Sequence, residues 1–225
     1  MNAKAIVEQD IKAGISKYLK DKLIIQPNFS DKRDITMFCI ESKHTLTGIN
    51  KTSDYRKKFS EIEDAGNYIC ALIDGSLIQV KYVFDADGRN NNVSAACLVY
   101  LPCPRECSII EKGIEGKDIE FPNMKNYIRI DMNEDKMTYS QISHPKAHVH
   151  IGLYNDFRIG IHRVPLFTEF IEIILYLNYP DIWKGKFAGD KEMHQFVDQF
   201  IKTRNIITQN ECLENVEKEF ISLVV

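Results

Sequence analysis

Two apolar runs of similar length, Leu77 to Asp85 and Val93 to Leu101, constrain the fold of this chain more than any other feature. In the first, Ile78, Val80, Tyr82 and Phe84 fall on one side of an extended backbone and Gln79 and Lys81 on the other, the period-two pattern of a half-buried strand. Asp87-Gly88 and the asparagines after it supply a turn, so the second run returns as the partner of a hairpin. Pro102 and Pro104 end that strand, because proline cannot donate to a ladder.

Helical spacing dominates before the hairpin. Val7, Ile11, Ile15 and Tyr18-Leu19 describe an amphipathic helix within residues 1–22, which Gln26-Pro27-Asn28 ends. Asp34 to Glu41 alternates as a short strand. From Ser53, with Ser53 or Asp54 as cap, the spacing of Phe59, Ile62, Gly66, Ile69 and Ile73 predicts a second helix that Asp74-Gly75-Ser76 stops. After the hairpin, Ser108 to Asn126 reads as an irregular surface excursion, long enough to serve as a lid or binding loop. Tyr127 to Met132, Val149 to Leu153 and Phe157 to Ile161 read as further strands. Pro165 suits a first helical position, and Phe167, Phe170, Ile171, Ile174 and Leu177 line one face of a strongly apolar helix closed by Pro180. Helices from about Asp190 to Arg204 and from Asn210 complete the chain.

This order predicts an α+β fold, a largely antiparallel sheet flanked by helices with a helical C-terminal segment. A chain of 225 residues can bury roughly 70% of its unfolded surface as one domain. The reading is therefore a single domain over 1–225, with a core over 1–180 and a helical appendage over 181–225. A charged fraction of 27% and a net charge of −3 force no strongly electrostatic partner. Lys4, Glu8, Asp10 and Lys12 interrupt any signal-peptide core, and Glu169 and Glu172 break the most apolar window, Leu166 to Leu177. A cytoplasmic protein without membrane contact is expected.

In a reducing compartment the six cysteines stay free. Four of them sit in apolar surroundings and read as small buried hydrophobes. Cys103 and Cys107 have a gap that suits zinc, but no second cysteine pair completes four ligands. The Gly-x-Ser-x-Gly elbow, the P-loop, Gly-x-Gly-x-x-Gly and His-Glu-x-x-His are all missing.

Chemistry concentrates instead in Ser143 to Gly152, which holds His144, His148 and His150, three of six histidines in the chain. On an extended backbone His148 and His150 project the same way, about 7 Å apart along the strand. Such a pair can bind one metal, or serve as acid and base on either side of a phosphorus or carbonyl. With a carboxylate beside it the pair suits Zn²⁺, Mn²⁺ or Fe²⁺, and Asp131 and Asp156 are the candidates. No cofactor is required by the sequence, although a divalent metal is compatible with it. Arg129, Arg158 and Arg163 could neutralise a phosphate, and His162 could join the histidines. The basic stretch Lys43 to Lys58 reads as a solvated loop and helix start, with phosphate contact as the functional alternative.

Several short motifs recur here in one order: Asp74 to Phe84, Tyr100-Leu101-Pro102-Cys103-Pro104, Ile128-Arg129-Ile130-Asp131, His144-Pro145-Lys146-Ala147-His148 and Phe170-Ile171-Glu172-Ile173-Ile174. Their order over about residues 20 to 183 resembles the bacterial family known as domain of unknown function 2290. The chain departs from the pattern at Arg158-Ile159-Gly160, where a proline is expected after the isoleucine. The resemblance implies a bacterial intracellular protein, of a kind carried on mobile or defence-associated gene clusters, and supplies no activity. It draws attention to the polar residues inside the motifs, Asp74, Arg129, Asp131, His144, His148 and Arg158. The favoured expectation is an effector acting on a phosphodiester of RNA or a nucleotide. In it His148 and His144 are acid and base with Asp131, and Arg129, Arg158, Asp74 and His150 contact substrate. Strand geometry pairs His148 with His150, whereas the motif pairs His144 with His148; the second is preferred because it brings in Arg129 and Asp131. The alternatives are a non-catalytic subunit or adaptor whose sheet and apolar helix 166–177 dock a partner encoded nearby, and a metal-dependent hydrolase.

Overall fold

The computed structural model of the chain describes residues 3–28, 39–41, 55–85, 92–104, 126–133, 146–152, 158–161 and 163–186. Helix α1 (Ala3–Lys20) buries Val7, Ile11, Ile15 and Tyr18, as the spacing predicts. It closes with Lys22 in the left-handed region (φ 58°). The Leu23 amide donates to Tyr18 O and the Lys22 amide to Leu19 O, so the end carbonyls are satisfied without a glycine.

The chain then enters strand β1 (Ile24–Pro27) at once, where the sequence suggested only a terminator. Pro27 is tolerated because it is the last residue of a strand at the sheet edge. Strand β2 (Cys39–Glu41) is the end of the strand expected over 34–41, and the rest of that run lies outside the described residues.

Helix α2 (Tyr55–Asp64) is shorter than its periodicity implied. Gly66 takes φ 62° and its amide donates to Glu63 O, while the Asn67 amide donates to Ile62 O, which seals the helix. Ile69 and Ile73 therefore flank strand β3 (Cys70–Leu72) instead of continuing the helix. Apolar residues three and four apart look alike on one helix and on a helix followed by a strand, and Gly66 was the signal that separates the two.

The hairpin is present as β4 (Leu77–Phe84) and β5 (Val93–Leu101), paired from Leu77↔Leu101 to Phe84↔Val93. Strands β6 (Ile128–Asn133), β7 (Ala147–Ile151) and β8 (Ile159–Gly160) follow. Helices α3 (Phe167–Asn178) and α4 (Pro180–Lys184) end the described chain. Pro165 precedes α3 by two residues rather than opening it, and its carbonyl accepts a hydrogen bond from buried Tyr82 at 3.0 Å. The eight strands form one antiparallel sheet in the order β1-β3-β4-β5-β6-β7-β8, with β2 also pairing β4. The fold is thus α+β.

One face of the sheet carries Ile78, Val80, Tyr82, Phe84, Leu98, Tyr100, Ile128, Ile130, Met132, Ala147 and Val149 against α1, α3 and α4 in the main core. Each large side chain buried there contributes roughly 1.5–3 kcal/mol. Phe167, Phe170, Ile171, Ile174 and Leu175 of α3 are buried in this core, while Tyr176 and Leu177 of the same helix are exposed. Trp183 on α4 is buried in the same core, so the C-terminal segment begins as part of it.

Gly14 lets α1 approach α3, since a Cβ there would meet Phe167 Cδ1 and Thr168 Cγ2 at 2.8 Å. Asp10 of α1 then caps α3, accepting from the Thr168 amide at 2.9 Å and the Thr168 hydroxyl at 2.5 Å. Glu172 joins the layers again by accepting from Tyr18 Oη at 2.7 Å and Lys186 Nζ at 2.5 Å. Among the described residues no helix is long and apolar enough to cross a membrane.

Helix α2 covers part of the opposite face, where Phe59 and Ile62 pack on Leu77, Val99, Leu101 and Tyr127. The helices predicted over 190–204 and from 210, and the excursion expected over 108–126 except its last residue, lie outside the described residues.

Candidate functional site

Beyond α2, the same second face turns polar. Pairing directly across the strands sets Lys81, Cys97, Asp131, His148 and Gly160 in one row and Gln79, Val99, Arg129 and His150 in the next. Directly opposed residues share a face, so alternation within each strand dictates this arrangement. Ile128, Ile130 and Met132 anchor β6 in the core and thereby point Arg129 and Asp131 the other way. Ala147 and Val149 do the same for His148 and His150 on β7. Continuing the β7–β8 register by one residue brings Arg158 alongside His150.

Asp131 is the centre of the group. Its Oδ2 lies 3.6 Å from His150 Nε2 and 3.9 Å from His148 Nε2. Arg129 Nε lies 2.7 Å from Oδ2 and donates to Oδ1 at 2.9 Å. The two imidazoles meet edge to face, their centroids 4.9 Å apart. The trio is recessed: the His148, His150 and Asp131 side chains are 5%, 15% and 17% exposed, while Arg129 is 36% exposed at the margin. In such a recess charges interact more strongly than in bulk water.

Burial opposes the charge on Arg129, but the adjacent Asp131 carboxylate outweighs it and holds the guanidinium pKa above its ordinary value. Burial, reinforced by the Asp131 charge, pushes the Cys97 thiol up. Cys97 is therefore a neutral neighbour of the carboxylate and not a nucleophile at neutral pH. The Nε of Arg158 is buried with no hydrogen-bond partner among the described residues.

Of the residues singled out from the sequence, Arg129, Asp131, His148 and His150 converge here, and Arg158 aligns with them. His150 stands beside Asp131 as His148 does. His144, His162, Asp156 and Cys107 lie outside the described residues, as do 43–54 of the basic stretch.

Asp74 is not brought to this site. It is buried in the turn between β3 and β4, where it accepts from the Ser76 amide at 3.0 Å, Ser76 Oγ at 2.9 Å and Tyr179 Oη at 2.8 Å. Its position in a motif reflects the making of that turn. Arg163 is also elsewhere: it pairs bidentately with Glu169 at 2.6 Å, and Glu169 in turn accepts from the Leu166 amide at the start of α3.

Sequence reasoning missed Lys81 and Cys97 as members of the polar row. Cys97 was taken for a buried hydrophobe, yet it is out of phase with Ala96 and Leu98 in the alternation of β5. That phase was the available signal; the register joining it to Asp131 was not.

Among the described residues, Asp131, His148 and His150 are the one group of three or more metal-ligating side chains whose ligand atoms cluster, all within 4.8 Å of one another. No curated protein and no solved structure matches the chain. The match to a family extends past the motifs into the C-terminal segment: residues 21–223 fit the family described as "Uncharacterized conserved protein (DUF2290)", and the chain belongs to that family.

Proposed function

We propose that the polar half of the second sheet face acts on a phosphodiester of RNA or a nucleotide. The reading rests on one observation: a carboxylate and two imidazoles, Asp131, His148 and His150, lie together in a recess bordered by Arg129 and in register with Arg158. Hydrolysis of a phosphodiester needs an activated water oxygen and cations to neutralise the phosphoryl oxygens. The trio activates the water and takes up its proton equivalent. Arg158, whose buried Nε finds no acceptor among the described residues, and the outer face of the Arg129 guanidinium hold the phosphate. The water oxygen bonds to phosphorus, the bond from phosphorus to the leaving oxygen breaks, and that oxygen gains a proton from solvent.

The test is cleavage of a single-stranded RNA and a panel of nucleotides by the purified chain, with and without added Zn²⁺ or Mn²⁺. Wild type is expected to cleave, and His148→Ala to lose about 100-fold or more in rate while remaining folded at the assay temperature by circular dichroism. Absence of cleavage by wild type in every condition, or equal cleavage by His148→Ala, overturns the proposal.

A further inference from the structure

We infer that Asp131, His148 and His150 form a three-ligand centre for a divalent transition-metal ion, through which the proposed phosphodiester chemistry is activated; the inference deepens that reading and rests on it for its functional meaning. Distances decide between a metal and a shared proton. Separations of 3.6 Å and 3.9 Å from the two Nε2 atoms to Asp131 Oδ2 exceed the 2.7–3.2 Å or so of a hydrogen bond. They approach the ligand-to-ligand edge of a tetrahedral site, about 3.3–3.5 Å for bonds of about 2.0–2.2 Å. All three ligand atoms lie within 4.8 Å of one another, so modest side-chain adjustment closes the site around an ion.

The sheet enforces this arrangement. His148 and His150 are two apart on β7 and so share a face, and Asp131 is the direct partner of His148 on β6. Ligands mounted on paired strands lose little freedom when the ion binds. Arg129 supplies the outer support that a ligating carboxylate needs, its Nε lying 2.9 Å from Oδ1 and 2.7 Å from the Oδ2 that faces the imidazoles. Two imidazoles and one carboxylate suit Zn²⁺, Mn²⁺ or Fe²⁺ and disfavour Ca²⁺ and Mg²⁺, which take oxygen ligands. Three protein ligands leave a coordination position for water or a phosphoryl oxygen, the arrangement of catalytic rather than structural centres.

The full chain, stripped with a chelator and dialysed, is titrated with Zn²⁺ by calorimetry and with Co²⁺ by visible absorption. One equivalent of each is expected, with the intense d–d bands of low-coordinate Co²⁺. Asp131→Asn and His150→Ala, less buried than His148, should weaken binding about 100-fold or more with the metal-free thermal midpoint kept. Failure to bind either ion, or binding untouched by both substitutions, overturns the inference. The two proposals fail separately. RNA cleavage that persists in chelator but is lost in His148→Ala sinks the metal centre and leaves the phosphodiester reading. One bound equivalent with no cleavage of any substrate leaves the metal centre and sinks the phosphodiester reading.

Discussion

In the proposed reaction, Arg158 separates substrate binding from water activation at the level of single residues. It lies in register with His150, yet carries no ligand atom for the trio and has a buried Nε without a described partner. Its work is electrostatic, so Arg158→Ala should raise KM for RNA about 10-fold with kcat nearly unchanged. It should also reduce the slope of log affinity against log salt by about one. A KM measured across a KCl series checks this, and an unaltered slope would remove Arg158 from the phosphate site. Arg129 differs because it supports Asp131 as well as bordering the recess, and its substitution should raise KM and lower kcat.

Much of this was legible residue by residue. The alternation Ile128-Arg129-Ile130-Asp131 already turns the two charged residues away from the core, and His148-Val149-His150 already aligns two imidazoles. The choice of which histidine pairs with Asp131 was not legible, because it depends on the β6–β7 register, and pairing across a long connection leaves no local trace in either strand. Asp74 shows the converse: an acidic residue in a motif can serve a buried turn and its contact with Tyr179.

Among the elements, the junction of α1 with α3 is the most exacting. Asp10 reaches across from α1 to cap the α3 N-terminus, and burial holds its carboxyl pKa above the ordinary 3.8, with the Thr168 hydrogen bonds offsetting part of that rise. Asp10→Ala should cost about 1–2 kcal/mol, the range for loss of a helix cap. Asp10→Asn keeps an acceptor and should cost less. A raised folded-state pKa means that the folded chain holds the proton more tightly than the unfolded one. The stability that Asp10 derives from its protonated form is full below 3.8 and lost as pH rises through the higher folded value. Thermal melts from pH 3 upward should therefore show wild type losing ground to Asp10→Asn across that window; a constant difference would contradict the assignment. Periodicity found α1 and α3 from their own residues, but neither the cap nor the need for Gly14 is visible in either helix alone. β1 and β3 escaped for a different reason: they are three or four residues long, too short for alternation to outweigh a neighbouring helix pattern.

Across the described residues of the whole molecule, the two sheet faces differ in how much is covered. Three helices bury one face in a continuous apolar core, while α2 covers only part of the other. The polar remainder is held by strands whose opposite sides are locked in that core, so the recess is built on rigid backbone. We propose that this remainder is where a phosphodiester binds. Amide chemical-shift mapping of the full chain during titration with a phosphorothioate oligoribonucleotide, which resists cleavage, tests it most directly. Shifts should concentrate at Lys81, Cys97, Arg129, Asp131, His148, His150 and Arg158 and leave α1 and α3 unmoved. Shifts confined to the helix-covered side, or none at saturating oligonucleotide, would contradict it.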